Sequence, residues 1–146
     1  LHYIAHQLMP HFIERDYGHI INVGSVAGLM PGGPYMATYY ATKSYVVSLT
    51  NALAEELKLL GSHAQVHALC PGPVNTEFND VANVKFSLRG ISARECVSYC
   101  IDEADKGKII IVPNMMVKAA AIASKFVPRE ILLGIVARSQ KSKIER

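Results

Sequence analysis

The chain has little net charge. It has no long cluster of basic residues of the kind that binds nucleic acid, and no uninterrupted apolar run long enough to span a membrane. Its 15 Lys and Arg residues against 12 Asp and Glu residues give a formal net charge of +3. No long basic block occurs before the extreme C terminus, so nucleic-acid binding is not indicated. The longest apolar stretch, residues 109–127, is interrupted by Pro113, Asn114, Lys118 and Lys125, which excludes it as a membrane span.

Cysteine is also scarce. Cys70, Cys96 and Cys100 are an odd number, and no pair has the spacing of metal ligands. This pattern favours reduced thiols in a cytoplasmic protein over a disulfide framework or a zinc site. His2 and His6 stand four residues apart, but that spacing alone is a weak metal signal, so a solvated or interface position is preferred. No metal dependence is expected.

The chain is long enough for one domain. Its 146 residues, of which half are apolar, suffice for a single hydrophobic core over residues 1–146. The chain starts at Leu1 without a methionine, inside an apolar helical pattern that no N-cap residue precedes. We therefore expect a fragment of a longer protein, or a gene model that lacks its beginning. No signal peptide is visible, and the polar ending, residues 137–146, is predicted to be solvated.

Amphipathic helices alternate with short buried strands along the chain. Gly18 is expected to end the first helix, and Gly61 to form the C-terminal cap of the second. Such alternation favours an α/β fold, a parallel sheet covered by helices on both faces, whose ligands bind outside the carboxyl ends of the strands. The predicted helices are 1–16, 38–60, 92–103 and most of 113–146 with a break at Pro128, and the predicted strands are 19–24, 64–70 and 108–112.

Tyr39 and Lys43 lie four residues apart at the start of the helix 38–60. Side chains at i and i+4 share one face of a helix. An ammonium group beside a phenol favours the ionised phenolate, and a phenol tuned in this way can transfer protons near neutral pH. Taken alone, the pair is weak evidence, because a chance surface pair has the same spacing.

Two loops add to this pattern. The segments GSVAG, residues 24–28, and PGPVNTEF, residues 71–78, both leave the carboxyl ends of predicted strands, so they converge with Tyr39 and Lys43 on one edge of the sheet. Together, INVGSVAG, YYATK and PGPVNTEF resemble the short-chain dehydrogenase/reductase family. The resemblance is good from Leu1 to about residue 80 and looser beyond it, and it covers the second half of the family's usual chain.

The resemblance implies a fold, an activity and a set of site residues. The fold is a Rossmann-like doubly wound parallel sheet, present here in part. The activity is an NAD(P)-dependent oxidoreductase that interconverts a secondary alcohol and a ketone by hydride transfer. Tyr39 is implied as the acid or base, Lys43 as its electrostatic partner and a ligand of the nicotinamide ribose, and Ser25 as a hydrogen-bond donor to the substrate oxygen. The cofactor-binding positions implied are Tyr39, Lys43, Pro71, Gly72, Val74 and Thr76, where Gly72 lets the backbone approach the nicotinamide.

The sequence departs from the family pattern in two ways. The Ser25–Tyr39 spacing is one residue longer than in the family, and the extra residue is placed in the loop 32–34, where an insertion costs little. No G-x-G-x-x-G turn occurs in the chain, and neither the residue that selects NAD or NADP nor the upstream Asn of the family's tetrad is present. NADP or NAD is therefore expected, with NADP slightly preferred, and the partial sheet is expected to have an uncovered parallel edge.

Several roles stay open. By analogy with the family, residues 76–106 form the lid and substrate region. Within it, residues 76–88, with Phe78 and Phe86, form a mobile lid over the substrate or else a surface loop. Tyr35 and Tyr40 line the substrate pocket or pack in the core. The same two readings hold for Met30 and Met36.

The expected partners are a small apolar carbonyl or alcohol substrate and a second copy of the chain. The helices 1–16 and 38–60 would form a homodimer or homotetramer, as they commonly do in the family. The C-terminal helical segment 113–146 closes the pocket or packs on the core; a membrane-surface contact through residues 115–146 is the less favoured reading. The alternative function is a truncated, catalytically inactive module that acts in dimerisation or protein interaction.

Overall fold

The computed structural model describes residues 1–77 and 90–144, with side chains described through residue 141. Its elements alternate as the sequence predicts. They are α1 His2–Arg15, β1 His19–Val23, a 3-10 helix Val26–Leu29, α2 Ala37–Leu59, β2 Gln65–Leu69, β3 Val74–Asn75, β4 Ile91–Ser92, α3 Ala93–Asp105, β5 Ile110–Ile111, α4 Met115–Ala123, a second 3-10 helix Ser124–Phe126 and α5 Arg129–Ile144.

Three strands form a parallel sheet in the order β1-β2-β5. Val23 pairs with Leu69, and Leu69 pairs with Ile111, so the strands end at the same edge. β3 and β4 form a separate parallel pair of two residues each, which the sequence did not predict. The predicted partial α/β sheet is therefore confirmed, with strands slightly shorter than expected.

Helices cover both faces of this sheet. On one face, Ala68 and Cys70 pack in a cluster with Val47 of α2 and Val117 of α4. On the other face, Leu69 and Ile111 pack against α3, which contributes its two cysteines and Ala104. Alternate residues of one strand serve opposite faces, as the pleat of a strand requires.

The three cysteines are free thiols in these clusters. Burial raises the pKa of each thiol, that of Cys70 to about 11. Their role in this fold is that of small apolar side chains.

The end of α1 differs from the prediction. Asp16, not Gly18, caps the helix, with a left-handed φ of 50° and its amide donating to the carbonyl of Ile13. Its carboxylate accepts hydrogen bonds from the His63 ring at 2.7 Å, the His63 amide at 2.7 Å and the Ser62 hydroxyl at 3.0 Å. These bonds tie the end of α1 to the turn between α2 and β2. Gly61, the glycine expected to cap α2, follows the last residues of that helix and has a left-handed φ of 68°.

β1 has a partner strand on one side only among the described residues. Ile21 and Val23 on this strand are 39% and 57% exposed, which is unusual for a strand of a parallel sheet. The uncovered parallel edge expected from the sequence is therefore observed in the part of the chain that the structure describes.

Candidate active site

A cleft of about 610 Å³ opens at the carboxyl ends of β1 and β2. Its walls come from the loops that follow these strands, from the first turns of α2, and from α4 and α5. The structure places every site residue predicted from the sequence in the lining of this cleft, namely Ser25, Tyr39, Lys43, Pro71, Gly72, Val74 and Thr76. Parallel strands bring these segments together because they end at the same edge of the sheet.

Ser25 lies between the two loops and is buried. The amide of Gly24 donates to the carbonyl of Leu69 at 2.8 Å, and that of Val26 donates to the carbonyl of Pro71 at 3.0 Å. The Ser25 Oγ accepts from the amide of Ala27 at 3.2 Å and so caps the 3-10 helix. Because this bond uses only a lone pair, the hydroxyl proton is available to donate to a ligand in the cleft.

Lys43 and Tyr39 stand side by side on the first turns of α2, as their spacing predicted. The Lys43 Nζ lies 5.8 Å from the centre of the Tyr39 ring. It also donates to the carbonyl of Val23 at 3.1 Å, at the end of β1. This bond fixes the ammonium between the strand end and the phenol, and its other protons stay available.

Gly72 is needed for packing in this structure. A Cβ built on Gly72 would lie 2.9 Å from Cγ2 of Val117, so its missing side chain makes room for α4. The family resemblance implied that this room serves the nicotinamide. The glycine also lets α4 pack close behind the loop 71–76, which the sequence did not indicate.

Tyr40 was left open between a pocket residue and a packing residue, and it is both. Its ring is buried with Leu132 and Val136 of α5, and it also lines the cleft. Its hydroxyl accepts a hydrogen bond from Nε2 of Gln140 at 2.7 Å. Burial raises the pKa of the Tyr40 phenol, and the Gln140 bond opposes this shift only in part.

Sequence reasoning missed Gln140, because it placed the whole segment 137–146 in a solvated ending. The residue is only 6% exposed and lies on the cleft wall. The signal was present: Leu132, Val136 and Gln140 follow one another at intervals of four, which is the buried stripe of a helix.

The remaining open residues divide between the cleft and the surface. Met30 and Met36 line the cleft and also pack beside the Tyr40 cluster. Tyr35 does neither: it is 62% exposed, has a left-handed φ of 68°, and is absent from the cleft lining. In the neighbouring loop, Gly33 lies against the Tyr40 ring, which any side chain at this position would overlap.

The predicted lid region falls only partly within the described residues. Phe78 and Phe86 lie outside them. Residues 93–105 are helix α3, which begins with a capping box between Ser92 and Glu95 and packs on the sheet. This part of the region 76–106 is therefore a covering layer of the sheet.

Comparison with known proteins agrees with this architecture. Residues 2–85 match the family model described as short chain dehydrogenase. Human 17-beta-hydroxysteroid dehydrogenase 13 is 31% identical over 144 residues, which are 98% of this chain and 47% of that protein. A protein of Xanthobacter autotrophicus named inactive 2-(S)-hydroxypropyl-CoM dehydrogenase 2 is 50% identical over 62 residues, 42% of this chain and 26% of that one.

Among solved structures, a short-chain dehydrogenase from Sphingobium yanoikuyae in complex with NADPH is similar to this chain. It is 30% identical, with a TM-score of 0.69, over 82% of this chain and 46% of that one. The chain thus spans less than half the length of these relatives. Since the family model matches more than half of the chain, the chain belongs to the short-chain dehydrogenase family.

Proposed function

We propose that this chain carries the catalytic side chains of an NAD(P)-dependent oxidoreductase that interconverts a secondary alcohol and a ketone. The observation that supports this most is the meeting of the Ser25 hydroxyl, the Tyr39 phenol and the Lys43 ammonium in one cleft. Such a set supplies a hydrogen-bond donor, a proton donor and a positive charge around one oxygen atom.

In the direction of reduction, negative charge develops on the carbonyl oxygen. Tyr39 donates its phenol proton to that oxygen, and the Ser25 hydroxyl donates a hydrogen bond to the same atom. Lys43 holds its positive charge beside the ring of Tyr39 and so stabilises the phenolate that remains. A bound nicotinamide cofactor supplies or accepts the hydride. In the direction of oxidation, Tyr39 acts as the base.

The residues of the cleft fit the nicotinamide end of NADP or NAD. Lys43 keeps protons free for a ribose hydroxyl while it donates to Val23. The loop 71–76 contributes Pro71, Gly72, Val74 and Thr76 to the same wall, on the side where the cofactor would lie. The short-chain dehydrogenase from Sphingobium yanoikuyae was solved in complex with NADPH, which supports a nicotinamide cofactor for this cleft.

An apolar carbonyl or alcohol is the substrate class that the cleft supports. Val26, Met30, Met36 and Ala120 line it, so most of its wall is hydrocarbon. Few polar groups apart from the proposed catalytic set are available to recognise a substrate.

Dimerisation through α1 and α2 is part of the same proposal. Tyr3 and Ile4 of α1 are 75% and 62% exposed, and Tyr45 of α2 is 49% exposed. Tyr45 donates to or accepts from the His2 ring at 2.6 Å, so the two helices are held side by side. Large apolar side chains on neighbouring helices suit a helix-to-helix interface between two copies.

The test is kinetic, in the full-length protein that contains this chain. Tyr39→Phe is expected to lower kcat for carbonyl reduction by about 10²–10⁴-fold, because the proton donor is removed. Ser25→Ala is expected to lower it as well. Tyr35→Phe is the matched control, since Tyr35 lies outside the cleft, and it should leave kcat unchanged. Wild-type kcat in Tyr39→Phe would refute the proposal.

A second candidate is a reductase-fold module without activity, which acts in dimerisation. It is favoured by the similarity to a relative named inactive. Fluorescence titration with NADPH and NADH separates the two. If the full-length protein is an enzyme, it binds NADPH or NADH. If it is an inactive module, it binds neither and still forms dimers.

A further inference from the structure

Helix α4 has an apolar outer face as well as an apolar inner face. Its inner positions Val117 and Ala121 are buried in the core. Its outer positions Met115, Met116 and Ile122 are 67%, 71% and 51% exposed. A helix that packs on a core with one side normally presents polar residues to water on the other.

Phe126 extends this face. The 3-10 helix Ser124–Phe126 continues α4 directly, and its first residue, Ser124, is buried on the inner side. Phe126, two residues later, falls on the outer side and is 85% exposed, the most exposed of the large apolar side chains described. We call Met115, Met116, Ile122 and Phe126 the outer apolar face.

Positive charge surrounds this face. Lys125 and Arg129 are exposed on either side of Phe126, and no ion pair joins either to an acid in the described part of the chain. On the other side of α4, Lys118 faces α3: the pKa of the Glu103 carboxyl is lowered mainly by the hydrogen bond from Lys106, and the charge of Lys118 adds a smaller part. The charged residues between 113 and 141 are Lys118, Lys125, Arg129, Arg138 and Lys141 against the single acid Glu130.

We infer that the outer apolar face binds the surface of a membrane that contains anionic lipids. Phe126 and the methionines would enter the boundary between headgroups and acyl chains, while Lys125 and Arg129 contact the anionic headgroups. None of the described helices is long and apolar enough to span a membrane, so the contact is a peripheral one.

The sequence left membrane contact and core packing as alternatives for this segment. The structure removes that conflict, because the two roles use opposite sides of α4. The inner side packs on the sheet through Val117, and this packing holds the outer apolar face towards solvent.

The same helix forms part of the cleft wall, through Met116, Val117 and Ala120. A membrane-bound α4 would therefore place the mouth of the cleft at the lipid surface. The substrate class that follows is a carbonyl or alcohol dissolved in lipid. This consequence rests on the proposed function, whereas membrane binding itself does not.

The absence of tryptophan from the sequence allows a clean fluorescence test with the full chain. Phe126→Trp places one indole on the outer apolar face, and Tyr17→Trp places one at the opposite end of the sheet, where Tyr17 is 74% exposed. Vesicles of phosphatidylcholine mixed with phosphatidylglycerol are expected to shift the emission of the Phe126→Trp variant to the blue, and brominated lipid chains to quench it. The variant Tyr17→Trp should respond to neither.

Substitutions then test the charges and the apolar tip. Lys125→Gln together with Arg129→Gln is expected to weaken binding to these vesicles by roughly 25-fold at low salt, about fivefold for each charge. Phe126→Glu should abolish co-sedimentation of the protein with the vesicles. Leu59→Glu is the control, because Leu59 lies at the end of α2 and is 79% exposed, and this variant should co-sediment with the vesicles like the wild type.

Two results would overturn the inference. One is an unchanged emission of Phe126→Trp on addition of vesicles. The other is a blue shift that depends on protein concentration without lipid, which would assign the outer apolar face to a second copy of the chain. Because neither readout needs turnover, membrane binding and the proposed catalysis can fail separately.

Discussion

The hydrogen bond between Gln140 of α5 and Tyr40 of α2 is the sharpest test of how the C-terminal helix is held on the rest of the fold. The two residues are 100 positions apart, and both are buried, at 6% and 8% exposure. Tyr40→Phe removes the hydroxyl and leaves the Gln140 amide without its partner. Gln140→Met, which keeps a similar volume, removes the amide and leaves the Tyr40 hydroxyl unpaired.

The expected magnitude follows from this geometry. Leaving one buried polar group without a partner costs about 1–3 kcal/mol, whereas replacing both partners by apolar groups of similar shape is nearly neutral. Each single variant should therefore lose about 1–3 kcal/mol of unfolding free energy. The double variant should lose clearly less than the sum, which gives a coupling energy of about 1 kcal/mol or more.

Urea unfolding followed by circular dichroism measures these free energies. In thermal unfolding, the midpoint temperature should fall by about 2–4 °C for each kcal/mol lost. Tyr45→Phe is the matched control on the same helix. Its hydroxyl bonds to His2 at 2.6 Å, but Tyr45 is 49% exposed, so water replaces the bond and the loss should stay below about 0.5 kcal/mol. Additive effects of Tyr40→Phe and Gln140→Met would refute the idea that this bond holds α5 on α2.

Three further predictions concern glycines, pH and a thiol. Gly28→Ala should lower the free energy of unfolding, measured in urea, by about 1–3 kcal/mol, because the new Cβ would overlap the main chain of α2. Gly134→Ala should raise it by up to about 1 kcal/mol, because Gly134 lies in α5 with open space around it. Equal effects of the two variants would contradict this packing. The hydrogen bonds from His63 lower the pKa of Asp16 to about 2, and the same pairing raises the pKa of His63. The midpoint temperature of unfolding should therefore decrease when the pH is lowered below 4, because Asp16 becomes protonated. It should also decrease when the pH is raised from 6.5 through the raised pKa of His63, because His63 loses its proton. Asp16→Asn should weaken the pH dependence in both ranges, and an unchanged profile would show that this pair does not contribute. With its pKa at about 11, Cys70 is roughly 0.1% thiolate at pH 8, so iodoacetamide should modify it only after unfolding, and rapid native labelling would show that the loop 71–76 opens.

The alternation of helices and strands could be read from the sequence because it depends on local periodicity. The pairing of Tyr39 with Lys43 is equally local, since four residues along a helix always bring two side chains to one face. The meeting of Ser25 with the loop 71–76 was also predictable, because parallel strands end at a common edge. The family and the partial α/β fold were confirmed on this basis, while the catalytic and cofactor roles of these residues stay predictions.

Other features were decided only by contacts between distant parts of the chain. Nothing near Gln140 in sequence says that it meets Tyr40, and nothing near Gly72 says that Val117 occupies the adjoining space. Which side of α4 is exposed likewise depends on which side packs on the core, because both sides are apolar. Local periodicity thus determined the helices and strands, and the family resemblance pointed to the residues at the cleft. The tertiary structure decided which apolar and polar side chains are buried, because burial depends on packing partners that are far apart in the chain.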